Sequence, residues 1–257
     1  MERRWRLCGG SACCTAALVA GAATVMLAMC ALLAAYCARH YYIAAKIAAV
    51  EPLRSDVYRD DNVRLRSGGV PIVVVFGDSR VRAWSPLPSV GRCSVVNRGI
   101  GGETTAQMVH RFNKDVVDLA PRALVIQGGI NDIVAASLAG GSAGKYVRNT
   151  VANLKWMIGR ARQAGIPVLL LTVIPPSRPG LFRRLVWSDE IEGFVADVNR
   201  DLMSLHAPPM VRVIDTASVL PSENGRLKRN VTSGELHINA QGYSLLNAAI
   251  EAVEPCG

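Results

Sequence analysis

Four short stretches of this chain set reactive or hydrogen-bonding side chains among turn-forming residues. They are Gly77-Asp78-Ser79-Arg80, Gly99-Ile100-Gly101-Gly102, Gly128-Gly129-Ile130-Asn131-Asp132 and Leu236-His237-Ile238-Asn239. Their residue types suit acyl transfer. A serine hydroxyl is a poor nucleophile until a neighbouring base takes its proton, and a neutral imidazole is suited to that role near pH 7. Attack on an ester carbonyl places negative charge on oxygen, and donors already aimed at that oxygen stabilise it. A glycine N–H can donate because no side chain blocks close approach, and an asparagine NH₂ supplies another donor. Each stretch alone has an ordinary explanation. Gly-Asp-Ser is a common turn, Gly-Gly pairs serve backbone geometry, and a lone histidine before a helix is commonly a surface or capping residue. The four together, in this order, are harder to dismiss.

The elements around them give the order its meaning. Pro71–Phe76, Ser94–Asn97, Ala123–Gln127, Val168–Val173 and Val211–Ile214 are short apolar, β-rich runs that read as strands. Between them lie helical spacings at Met108, Phe112, Val116 and Leu119, then from Val147 to Ala161, and then from Ile191 to Leu205. Thr104 and Gln107 offer a capping box for the first of these helices. Gly165 and Pro167 stop the second, and Asn239 can cap a final helix carrying Leu246, Ile250 and Val253. Five such strands separated by helices predict an α/β domain whose parallel sheet is covered on both faces. Ligands of open α/β sheets bind beyond the carboxyl ends of the strands, and three of the four stretches directly follow a strand.

This arrangement resembles the SGNH/GDSL hydrolase family, whose four blocks supply Ser, Gly, Asn and His. The similarity runs over residues 71–253, and Val95-Val96-Asn97-Arg98-Gly99-Ile100-Gly101-Gly102-Glu103-Thr104-Thr105 is especially similar to the second block of bacterial esterases in that family. The resemblance implies a three-layer sandwich around a five-stranded parallel sheet, the flavodoxin-like SGNH hydrolase fold. It implies Ser79 as nucleophile, His237 as general base, and Gly102 and Asn131 as oxyanion donors, with the Ser79 N–H as a third. It calls for no cofactor, and no Cys/His cluster has the spacing of metal ligands. Asp78 and Asp132 flank the key residues and are expected to fix their loops by accepting backbone hydrogen bonds.

One departure matters. Family members usually carry Asp three residues before the catalytic His, and here that position is Gly234, with Glu235 one residue nearer. Three readings follow: Glu235 substitutes as the His-orienting acid, a backbone carbonyl orients the ring, or the enzyme is slow or inactive.

The substrate is less legible. Residues 176–190 form a loop with Arg178, Phe182, Arg183, Arg184 and Trp187, either a solvated surface or a positive, partly aromatic lid. Arg80, an unusual neighbour for the nucleophile, either favours an anionic substrate or points into solvent. The leading reading is a carboxylester hydrolase acting on envelope lipid or carbohydrate esters. An O-acyltransferase using the same site and an SGNH-fold binding module with weakened catalysis are the alternatives.

Composition bounds the rest. The chain has 257 residues, half of them hydrophobic and 19% charged, enough for one ordinary domain and an appendage. Its net charge of +9 is scattered and partly N-terminal, so it reads as a solvated basic surface and not as a nucleic-acid footprint. From Leu7 to Ala38 there is no Asp, Glu, Lys or Arg, behind Arg3, Arg4 and Arg6. A membrane span needs roughly 20 apolar residues, and a signal-peptide apolar region runs to about 7–15. Residues 1–38 therefore read as a basic tip and a signal-anchor helix, 39–70 as a connector, and 71–257 as the hydrolase domain. The basic N-terminus favours that end inside, which makes a single-pass membrane protein with a periplasmic or extracellular domain. Cys93 and Cys256 are the cysteines of the soluble part, and their spacing in sequence leaves open whether they pair.

Overall fold

A computed structural model of the protein describes residues 10–50, 56–180, Trp187 and 190–256. The chain divides into two units between Pro52 and Leu53. The first holds helix α1 (Gly10–Val50), an Ala- and Leu-rich run without an interior proline. Its stretch Thr15–Tyr41 is long and apolar enough to cross a membrane by length and composition. Leu18, Leu27 and Leu32 on that stretch are exposed, as expected of a helix apolar on all sides.

The second unit opens with helix α2 (Arg59–Ser67) and is built on five parallel strands. These are β1 (Ile72–Gly77), β2 (Ser94–Gly99), β3 (Ala123–Gln127), β4 (Val168–Leu171) and β5 (Val211–Ile214), in the spatial order β2-β1-β3-β4-β5. Strands β1, β3 and β4 are buried at every position. Their side chains alternate between two cores. Val74, Phe76, Leu124, Ile126 and Leu170 pack on one face with the helices α4 (Thr105–Asp115), α6 (Ala143–Gln163) and α7 (Ile191–Met203), labelled after α3 (Ser79–Arg82) and α5 (Ile130–Leu138). Val73, Val75, Val125, Leu169 and Leu171 pack on the other, which receives Tyr243, Leu246 and Ile250 of the last helix. That helix, α9 (Ala240–Glu251), follows the helical turn α8 (Thr216–Val219) and two small antiparallel ribbons, β6–β7 (Ser222–Glu223, Arg226–Leu227) and β8–β9 (Thr232–Ser233, His237–Ile238). A sheet covered on both faces leaves no polar side to its central strands, which explains their unbroken Val/Ile/Leu runs.

Residues 56–68 do more than connect. Tyr58 Oη donates to the Gly99 carbonyl at 2.6 Å, and Asn62 Nδ2 to Asp115 Oδ1 at 2.7 Å. Arg98, buried at 2% exposure, donates to Asn62 Oδ1 and pairs with Asp61 at 2.6 Å. Cys93, just before β2, and Cys256, after α9, form a disulfide with a Cα–Cα distance of 6.1 Å.

Candidate active site

Strand register brings the candidate residues together. Gly77 at the end of β1 lies opposite Gly99 of β2 on one side and Gln127 of β3 on the other. The segments carrying Ser79, Gly102 and Asn131 therefore emerge side by side, at the point where the strand order reverses between β1 and β3. Close packing fixes them there. A Cβ on Gly77 would fall 1.8 Å from the Gln127 carbonyl oxygen, and one on Gly99 would fall 2.1 Å from the Arg82 nitrogen. Neither position admits a side chain.

Ser79 opens α3, capped by Asp78, whose Oδ1 accepts from the Arg80 N–H at 2.9 Å. His237 arrives from the far end of the chain on β9, with its backbone paired to Ser233. Its Nε2 lies 3.0 Å from Ser79 Oγ. That is hydrogen-bond reach for proton transfer. Gly102 has φ +78°, a left-handed conformation that favours glycine, although a Cβ there would meet nothing within 4 Å. Asn131 sits in the first turn of α5, and its Nδ2 donates to the Glu103 carbonyl at 2.8 Å, which orients the amide and uses one of its two hydrogens. Asp132 accepts from the Thr105 N–H and hydroxyl at 2.9 and 2.6 Å, tying the start of α5 to the start of α4. Both aspartates thus fix loops through backbone N–H groups.

Arg80 overturns the sequence expectation. It faces neither substrate nor solvent, being 1% exposed. Nε donates to the Leu236 carbonyl at 2.6 Å, Nη2 to Pro175 O at 3.4 Å, and Nη1 to the Ile174 carbonyl. Its own carbonyl accepts from Tyr243 Oη at 2.7 Å. The residue after Ser79 is therefore bound to the residue before His237. A guanidinium that supplies several donors in fixed directions suits three carbonyls that have no other reason to converge.

A second buried arginine secures the Gly102 segment. Arg111 pairs with Glu103 at 2.7 Å and with Asp115 at 2.9 Å, donates to the Gly77 carbonyl at 3.0 Å, and stacks over the Phe76 ring at 4.2 Å.

Burial sets the titration of this region. It raises the Asp78 carboxyl to about 6, against the opposing pull of Arg80, and Asp78 Oδ2 has no hydrogen-bond partner among the described residues. Burial also raises Asp132, against the Thr105 hydrogen bonds, lowers Arg80 to about 10, and raises the Tyr243 phenol to about 12. Arg80 remains a cation at neutral pH.

Around His237 the backbone makes a tight turn. Gly234 has φ +78°, and its carbonyl accepts from Ser177 Oγ at 2.9 Å. The Glu235 carbonyl accepts from the Ser177 N–H at 2.9 Å, and its Oε1 from the Gly180 N–H at 3.3 Å. The turn that carries His237 is thus stitched to the segment after β4. Phe182, Arg183 and Arg184 of the expected lid lie outside the described residues. Among the described residues no group of His, Cys, Asp and Glu could hold a metal ion.

The profile of the GDSL-like lipase/acylhydrolase family matches residues 68–245. The chain belongs to this family. Arg80 stands where the family's name has leucine. The chain is similar to the uncharacterized lipoprotein YqeF of Bacillus subtilis, with 34% identity over 123 residues, 42% of this chain and 50% of that protein. The match thus spans half the length of that relative. Among solved structures, a GDSL-like lipase of Bacteroides thetaiotaomicron superposes with a TM-score of 0.63 at 21% identity, covering 79% of this chain and 97% of the other. A lipase/acylhydrolase of Enterococcus faecalis gives 0.52 at 23%, covering 72% and 96%. These two likenesses establish the shared fold.

Sequence reasoning misses α5, because Gly128-Gly129 reads as the start of a loop. The signal is the spacing of Ile130, Ile133 and Ala136, all buried. It also misses the Arg80 and Arg111 clusters.

Proposed function

We propose that this protein is a serine carboxylester hydrolase, with Ser79 as nucleophile and His237 as general base. The observation that carries the reading is the 3.0 Å contact between Ser79 Oγ and His237 Nε2. Ser79 Oγ bonds to the ester carbonyl carbon as its proton passes to Nε2, and the carbonyl π electrons move onto oxygen. The N–H groups of Ser79 and Gly102 and the free Asn131 amide hydrogen receive that charge, each donor contributing about 3–4 kcal/mol. Collapse breaks the bond to the alcohol oxygen, which takes the proton from His237. Water then attacks the acyl-serine by the same route, restoring both side chains. Glu235 or a backbone carbonyl orients the imidazole, since the left-handed backbone at Gly234 disfavours the family's aspartate there.

The domain acts outside the cytoplasm, tethered by α1, on esters of envelope lipids or carbohydrates. The Cys93–Cys256 disulfide supports an oxidising compartment, and the lipoprotein relative supports attachment to a membrane. The full-length protein in detergent is expected to hydrolyse short-chain aryl esters, and Ser79→Ala to abolish this. Equal hydrolysis by Ser79→Ala removes the assignment.

A further inference from the structure

The turn that delivers His237 also borders a cleft. Gly234 and Glu235 line a cavity of about 370 Å³ together with Arg178 and Arg229. A second cavity, of about 360 Å³, shares those two arginines and adds Arg226 and Lys228. Arg178 and Arg229 line both spaces, so the cavity beside the histidine turn and its neighbour have basic walls in common.

Its charges are of two kinds. Arg226 is paired with Glu192 and is part of the wall. Arg178, Lys228 and Arg229 are exposed and make no ion pair among the described residues. Among the described residues that line the two cavities the carboxylates are Glu223 and Glu235, and Glu235 accepts from the Gly180 N–H, so cations prevail there.

The cations stand on a fixed backbone. The Leu227 N–H donates to Pro176 O at 3.0 Å, the Lys228 N–H to Pro221 O at 3.0 Å, and the Ser177 N–H to Glu235 O at 2.9 Å. The same hydrogen bonds that hold the histidine turn therefore hold Arg178 beside it. Pre-positioned cations at a concave surface favour an anion more than scattered surface charges do.

Chemistry tells which part of the substrate lies there. The imidazole that takes the Ser79 proton must return it to the departing alcohol oxygen, so the alcohol leaves on the His237 side. We infer that the substrate is an ester whose alcohol portion carries an anionic group, a phosphate or a carboxylate, held by Arg178 and Arg229. The inference rests on the serine-hydrolase reading above.

The test compares three matched acetyl esters with the full-length protein in detergent: those of glycerol, glycerol phosphate and glyceric acid. At low ionic strength kcat/KM is expected to be about tenfold higher for one or both anionic esters than for the neutral one. The ranking of the two separates a phosphate from a carboxylate. In the Arg178→Gln/Arg229→Gln double variant the preference should vanish while neutral-ester hydrolysis persists, since both side chains are exposed and outside the fold's core. Inorganic phosphate should inhibit neutral-ester hydrolysis by wild type and not by the double variant. Equal rates on all three esters in wild type, or a preference that survives both substitutions, overturns the inference and leaves the hydrolase reading standing. Neutral-ester hydrolysis undiminished in Ser79→Ala overturns both.

Discussion

Arg80 Nε donates to the Leu236 carbonyl at 2.6 Å, so the neighbour of the proposed nucleophile holds the neighbour of the proposed base. The two halves of the site are 158 residues apart in sequence, and this bond fixes their separation from beneath. Tyr243 completes the support by donating to the Arg80 carbonyl.

Arg80→Lys should therefore impair the site more than a change between two cations would imply. An ammonium is a point charge and cannot reach three carbonyls with the geometry of a guanidinium. Turnover of a neutral aryl ester is expected to fall at least about tenfold with KM little changed. Arg80→Met leaves buried carbonyls unpaired and should lower stability by several kcal/mol, at about 1–3 kcal/mol for each unsatisfied group. Kinetics and urea melts of both variants check this.

At the histidine turn, Glu235→Gln is expected to lower turnover at least about tenfold if its carboxylate orients the imidazole. A silent change gives the role to a backbone carbonyl. Gly234→Asp should not raise the rate. Its side chain meets open space, but φ +78° costs a non-glycine residue about 1–2 kcal/mol, visible as a lower melting temperature.

Asp78 makes stability depend on pH in a direction opposite to most paired carboxylates. Its folded pKa, about 6, lies above the unfolded value of 3.8, so the unfolded chain loses the proton first. Stability from this group is then full below the unfolded pKa and declines as pH rises from about 4 to about 6. The limiting cost is on the order of 3 kcal/mol. Asp78→Asn keeps an acceptor for the Arg80 N–H and removes the titration. The variant's stability relative to wild type should therefore rise between about pH 4 and about pH 7, as measured by urea unfolding at each pH.

Removal of helix α1 is tolerated only if the cut falls early. A chain beginning at residue 56 keeps Tyr58, Asp61 and Asn62, the partners of Gly99, Arg98 and Asp115. A chain beginning at residue 71 lacks these partners of Arg98, Gly99 and Asp115 and should unfold at a lower urea concentration. Comparing the two fragments by urea denaturation decides it.

The sheet is legible in the sequence because β1 and β3 are buried on both faces and so consist of unbroken β-branched and aliphatic runs. The Ser, Gly, Asn and His stretches are legible because each sits where a strand or ribbon delivers it. Arg80 is not, since its partners are carbonyls of residues 174, 175 and 236, and carbonyls leave no trace in residue type. Helix α2 is hidden for a related reason. Its buried residue is Asn62, and apart from Leu65, which packs against the core, its described holds on the domain are polar, so by composition it passes for a solvated linker. The pairing of Cys93 with Cys256 depends on α9 returning to the start of β2, which no spacing rule contains.

That disulfide closes a ring of chain. Gly102, Asn131, the loop after β4 and His237 all fall between its two cysteines, whereas Ser79 lies outside. A protease that cuts anywhere from Cys93 to Cys256 cannot set His237 adrift from Ser79, because both pieces stay joined by sulfur. Such a nicked molecule would run as one band without reductant and as two with it. A severed chain would still hold its two halves in register.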